Sequence, residues 1–173
     1  MNENIKYQLA NLFSFLPNRE FCILTFLLKQ KRLPNLKNPK YFSDKLLLLK
    51  LTQRDPILTK LVDKYEVRNF VKERVGSEYL VPLIGVYEKP NEIDFDKLPN
   101  KFVIKPTRGS QRNVICKDKS SINWQQTIKE LNKIIKLDPY MRTREWPYKD
   151  LHPRLIIEEY IESCGYQVDG EGF

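Results

Sequence analysis

The sequence predicts an α+β fold: a helical N-terminal part, residues 1–76, followed by an α+β part with short antiparallel strands, residues 77–161. Three observations carry this prediction. Apolar residues recur at helical spacing as far as Gly76. Beyond it the period changes to short β-branched or aromatic runs separated by turn residues. One helical stretch, with Trp124, Ile128, Leu131 and Ile135 along a single face, interrupts those runs. In the remaining residues, 162–173, Asp169 and Glu171 alternate with glycines, and the stretch reads as a disordered tail without metal ligands.

The elements follow in order. "LANLFSFLP" and "FCILTFLLK", split by "NRE", are two short helices whose apolar faces are expected to pack on the core. Neither reaches the ~20 apolar residues that span a bilayer, and no small-residue cleavage site follows. Lys29, Lys31 and Arg32 come directly after, which keeps a peripheral membrane contact open. Ser43 is placed to cap a helix beginning at Asp44. Asp55 and Pro56 form a stronger start signal, an N-cap followed by proline at the first helical position. From Ile57 to Tyr65 the apolar residues keep one phase, which then shifts to Val67, Phe70, Val71 and Val75. The spacing predicts two consecutive helices or one kinked helix, ended by Gly76. Strands are expected at Leu83–Glu88, Phe102–Lys105, Asn113–Cys116 and Arg154–Ile161. The Pro-rich "DPYMRTREWPYKDLHPR" between helix and last strand reads as a packed functional loop or a mobile lid.

Composition narrows the class of function. Hydrophobic residues make up 41% and charged residues 30%, ordinary values for a soluble domain. Thirty Lys and Arg against 22 Asp and Glu give a net charge of +8, which suits an anionic partner without selecting one. Cys22, Cys116 and Cys164 lie far apart, a count and spacing that oppose both a disulfide framework and a zinc site; reduced buried thiols in a cytoplasmic protein are expected. A single histidine, His152, disfavours a His-rich metal site or a Ser-His-Asp triad.

Two stretches carry candidate chemistry. In "FVIKPTRGSQR", Lys105 closes a buried strand, so its stem is held and its charge is aimed at one place. Backbone N–H groups around Gly109 and Ser110, with Arg108 and Arg112, have the chemistry to bind phosphate oxygens. Such loops usually hold several glycines, and one glycine fits a solvated basic hairpin equally well. In "RLIIEEYIE", the acidic residues at a strand end can accept from an adenine amino group or from ribose hydroxyls. A solvated acidic end of an edge strand is the plainer reading.

The order of these pieces resembles a known family. "LKNPKYFSDKLLLLKL", "DPILTKLVDKYEVRNFVKERVG", "LPNKFVIKPTRGS" and "REWPYKDLHPRLIIEEYI", spanning about Leu36 to Ile161, are similar to the TupA-like ATP-grasp proteins. These are named for teichuronopeptide biosynthesis and belong to the assembly of bacterial surface polysaccharides. The resemblance implies two α+β subdomains with ATP between them. It places Lys105 on the nucleotide phosphates and folds Gly109 and Ser110 over the triphosphate, with Arg112 adding charge. Glu158, Glu159, Tyr160 and Ile161 fall on the hinge that meets adenine, and Lys64 where a cation approaches the nucleotide.

The implied reaction is carboxylate–amine ligation through an acyl phosphate, with an acidic sugar or amino acid as substrate. Mg²⁺ is expected only where a C-terminal segment beyond this chain supplies its carboxylates, so the resemblance assigns no catalytic and no metal-binding residue here. The ATP-grasp domain is thus expected to be incomplete, the chain truncated relative to the family. Arg108 stands where relatives carry His and Gln111 where they carry Gly, which is expected to weaken phosphate binding. Two other readings stay open: a non-catalytic partial nucleotide-binding module, and a basic protein for membrane surface or acidic glycan. A glycosyltransferase role finds no paired carboxylates or nucleotide-sugar motif in its support. No nucleic-acid partner is expected, and the oligomeric state is left open.

Overall fold

The computed structural model describes residues 12–109 and 112–162. Ser110, Gln111 and the 162–173 tail beyond its first residue, Cys164 included, lie outside the described residues. Among the described residues, six α-helices and four strands are mixed in an α+β arrangement. Helices α1 (Asn18–Gln30), α2 (Phe42–Thr52), α3 (Ile57–Val62) and α4 (Glu66–Arg74) come first. Strands β1 (Leu83–Tyr87), β2 (Phe102–Pro106) and β3 (Val114–Cys116) follow, then α5 (Trp124–Ile135), the short α6 (Pro139–Thr143) and β4 (Leu155–Glu159).

The four strands form one antiparallel sheet in the order β1-β4-β2-β3. The last strand therefore lies inside the sheet, between the first and the second. Period-2 alternation sorts its residues. Ile104 pairs with Ile157, and both face a core completed by Phe102, Cys116, Leu155 and, from α5, Leu131. Trp124 closes the edge of that core, stacked 4.2 Å from Phe95. On the opposite face β2 presents Val103 and Lys105, paired in register with Glu158 and Ile156 of β4. One side of the sheet is thus apolar and the other carries charge.

The helix boundaries have local causes. Asp55 Oδ1 accepts from the N–H of Ile57 at 3.0 Å, the cap expected at the Asp55-Pro56 pair. The break between α3 and α4 falls at Asp63, whose Oδ1 accepts from the N–H groups of Tyr65 and Glu66 and so restarts the helix. Gly76, at φ +110°, takes the backbone out after α4, with its N–H bonded to the Val71 carbonyl at 3.3 Å. Ser43 does not cap α2: that helix begins at Phe42, and the Ser43 hydroxyl accepts from Arg32 Nη2 at 2.9 Å.

A second apolar cluster joins α1 to α2 through Phe21, Cys22, Phe26 and Leu47. The Pro-rich segment is packed rather than open. Asp138 caps α6 by accepting from the N–H of Tyr140 at 2.9 Å. Asn18 donates to the Tyr140 hydroxyl at 2.6 Å, and Arg144 donates to the Ser14 carbonyl at 2.9 Å while lying over Phe21. Cys22 and Cys116 are buried free thiols, and burial pushes both above their ordinary pKa. Among the described residues no helix is long and apolar enough to cross a membrane.

Because Leu131 is wholly buried against both central strands, Leu131→Ala should cost about 2–5 kcal/mol in urea unfolding. Ile115→Ala, at a side chain 58% exposed on β3, should stay within about 0.5 kcal/mol. Equal losses at the two positions would contradict this placement of the core.

Candidate functional site

The charged face of the sheet is built around Glu158. Its carboxylate is almost fully buried, and two cations hold it: Lys105 Nζ at 2.6 Å from Oε2 and Arg68 Nη1 at 2.6 Å from Oε1. A lone carboxylate there would pay the full cost of leaving water; two cations with direct hydrogen bonds offset it. Lys105 comes from β2, Arg68 from α4 and Glu158 from β4, so the site joins three elements far apart in sequence. Arg68 Nη2 also donates to the Val81 carbonyl at 2.6 Å, which fixes the guanidinium plane.

Behind Lys105 lies a second cation. Lys64, at the break between α3 and α4, donates to the Pro106 carbonyl at 3.0 Å and to the Gly109 carbonyl. Its own N–H donates to the Thr107 carbonyl at 2.9 Å. Burial, aided by repulsion from Lys105, lowers the Lys64 pKa from its ordinary value. Lys64 is spent on the carbonyls at the end of β2 and so braces the loop from within.

The loop after β2 is tied down at three further points. Gly109 adopts φ +80°, a conformation that favours glycine, and a Cβ there would stand 3.3 Å from Pro139. Thr107 is fully buried; its N–H donates to the Arg154 carbonyl at 2.8 Å, and its hydroxyl accepts from the Arg154 N–H at 3.3 Å. Arg154 continues across to Asp63 at 3.3 Å and Glu66 at 2.8 Å, over the Tyr65 ring. Burial opposes the Arg154 charge, but the hydrogen bonds and attraction of Glu66 and Asp63 outweigh it and raise the guanidinium pKa.

Arg108 has a different part from the phosphate ligand that its type suggests. Its Nη1 donates to the Leu151 carbonyl at 3.2 Å and its Nη2 to the Ile135 carbonyl at 3.1 Å, tying the loop to the end of α5 and to the segment before β4.

Of the residues singled out in the sequence, Lys105, Glu158, Lys64 and Gly109 come together here. Arg112 is half-buried, and Ser110 lies outside the described residues. Glu159 is exposed and holds the sheet through its N–H, which donates to the Pro82 carbonyl at 3.0 Å. Tyr160 has Lys117 6.0 Å above its ring, and Ile161 is exposed. The sequence reading missed Arg68, Asp63, Thr107 and Arg154. No local signal for Arg68 was available: it stands on α4, whereas Lys64 sits in the break before that helix.

Among the described residues no group of three or more His, Cys, Asp and Glu is placed to hold a metal ion. The set does offer a cationic lysine at a strand end, a braced loop with one left-handed glycine, and an acidic strand end leading to an exposed apolar residue.

Two consequences can be measured. Glu158→Gln leaves Lys105 and Arg68 without their common carboxylate, so it should destabilise by about 3–5 kcal/mol, whereas Lys105→Met, which leaves Glu158 with Arg68, should cost clearly less in the same urea titration. The lowered Lys64 pKa means that, between that value and 10.5, the unfolded chain binds the extra proton. Stability then rises with pH across that window. Wild type should gain on Lys64→Met as pH climbs from 8 to 10; a flat or narrowing difference would contradict the burial of this ammonium.

A family model described as TupA-like ATPgrasp matches residues 44–167. No curated protein and no solved structure matches the chain.

Proposed function

The chain belongs to the TupA-like ATP-grasp family, and on that premise we propose that the charged face of its sheet binds ATP. In this reading Lys105 turns from Glu158 to the nucleotide phosphates. Arg68 keeps the carboxylate paired when Lys105 leaves, so the exchange strands no buried charge. Lys64 is a positioning residue: it holds the Pro106 and Gly109 carbonyls beside Lys105, while Gly109, Ser110 and Arg112 are the loop residues proposed to meet the phosphates. The adenine ring lies toward the end of β4, where Glu158, Glu159, Tyr160 and Ile161 offer acceptors, backbone and an exposed apolar side chain. The single observation that carries the proposal is the three-element clamp of Lys105, Glu158 and Arg68 beside a left-handed glycine.

The reaction that fits this family is ATP-dependent joining of a carboxylate to an amine, in the assembly of a cell-surface polysaccharide such as a teichuronopeptide, with an acidic sugar or amino acid as acceptor. ATP there supplies the phosphoryl group that activates the carboxylate. The described residues contribute nucleotide positioning and cationic charge. None of them is assigned to Mg²⁺, because the carboxylates on this face, Glu158, Asp63 and Glu66, are already paired with Arg68, Lys105 and Arg154. A second reading, a nucleotide-binding module without chemistry of its own, is favoured by that same pairing and by the commitment of Arg108 to backbone carbonyls.

ATP should slow amide exchange across residues 102–116 and raise the melting temperature. Lys105→Ala should weaken that binding about 10- to 100-fold, the effect of losing one charge-assisted hydrogen bond, while Lys129→Ala on the outside of α5 should leave it unchanged. If ATP neither protects this hairpin nor shifts melting, the nucleotide reading fails. Release of ADP with a carboxylate and an amine present separates the ligase from the binding module.

A further inference from the structure

Helix α2 is apolar on both sides. Leu47 joins the cluster with Phe21, Cys22 and Phe26, while Phe42, Leu46 and Leu49, at spacings of four and three, form the opposite stripe. These three side chains are 75%, 49% and 52% exposed. An apolar stripe along the outer face of a helix is normally covered. Nor is the stripe isolated: among the described residues, nine of the fourteen exposed large hydrophobic side chains fall between residues 12 and 49.

Charge says what kind of surface would cover it. Between residues 12 and 50 the sequence has eight Lys and Arg against two Asp and Glu, so this stretch holds six of the eight net positive charges. Of the two acids, Asp44 is buried and paired with Arg32 at 2.8 Å, which leaves Glu20 as the one exposed carboxylate there. Lys40 precedes the stripe in sequence, Lys45 falls between Phe42 and Leu46, and both are exposed. A second copy of this chain would bring the same excess of cations against it, which repels. A ridge of Phe and Leu edged by lysines suits an anionic, deformable surface: the apolar side chains enter and the ammonium groups stay at the level of the lipid phosphates.

We propose that the α2 stripe of Phe42, Leu46 and Leu49, with Lys40 and Lys45 beside it, docks this protein on an anionic phospholipid bilayer. The surface is separate from the charged face of the sheet, and it does not depend on nucleotide binding. Docking is peripheral, driven jointly by the apolar stripe and by attraction to acidic headgroups, so salt weakens it.

Flotation with vesicles of phosphatidylcholine containing 30% phosphatidylglycerol tests this on the full chain, with pure phosphatidylcholine vesicles as the neutral comparison. The expected result is binding to the anionic vesicles at 50 mM salt, at least tenfold weaker binding at 300 mM, and little to the neutral ones. The triple variant Phe42→Ser, Leu46→Ser, Leu49→Ser should lose at least tenfold, and so should Lys40→Glu with Lys45→Glu, each at an unchanged melting temperature. The Lys-to-Glu pair keeps the test decisive if the triple variant folds poorly. Three results would overturn the proposal: no vesicle binding by wild type, binding that survives both variants, or a dimer in gel filtration that the triple variant dissolves. Capture of an acidic protein through the stripe, without vesicle binding, would likewise reject the lipid surface.

Discussion

A buried carboxylate must be paired, and Glu158 sits where its pairing organises half the molecule. It lies on β4, the central antiparallel strand, on the face away from the hydrophobic core. Satisfying both of its oxygens requires one cation from the neighbouring strand and one from outside the sheet. Lys105 supplies the first, in the position set by the β2 register. Arg68 supplies the second, and this fixes how α4 lies across the charged face. The position of the helical region relative to the sheet therefore follows from an electrostatic need as much as from apolar contact.

The same logic repeats one layer out. Asp63 breaks the chain between α3 and α4 with one oxygen and meets Arg154 with the other. Arg154 in turn exchanges backbone bonds with Thr107, the first residue after β2. Lys64 reaches the next carbonyls of that segment. The loop after β2 is thus held by a helix break and by the start of β4, each contributing a side chain of opposite charge. Among the described residues of this segment the anchors are side chains, and Gly109 takes a left-handed position.

Local signals made the fold legible. The strands at 83–87, 102–106, 114–116 and 155–159 and the helix at 124–135 match runs visible in the sequence, because each is set by alternation or by a 3.6-residue period. The break at Asp63 was visible as a shift of phase, and the helix stop as Gly76. What was not legible is pairing across distance. Nothing near Arg68 announces a partner at Glu158, and nothing near Thr107 announces Arg154. Arg108 misled for a related reason: the residue type suits phosphate, but which group a guanidinium meets is decided by the backbone carbonyls that the fold leaves unpaired. Ser43 failed as a cap because a competing donor, Arg32, arrives from the preceding turn of chain.

The commitment of Arg108 decides how the segment after β2 is anchored. A histidine at that position would be too short to reach two carbonyls on separate segments; the arginine reaches both the C-terminal end of α5 and Leu151. Its fork cross-links the loop to the segment that leads into β4, the same segment that Arg154 and Thr107 join from the other side. The segment is then held from both sides: Arg108 donates from it to the Ile135 and Leu151 carbonyls, and Arg154 exchanges hydrogen bonds with Thr107. Arg108 is thus built into the wall of this segment, while on the charged face Lys105 and Arg68 together hold the buried Glu158 carboxylate.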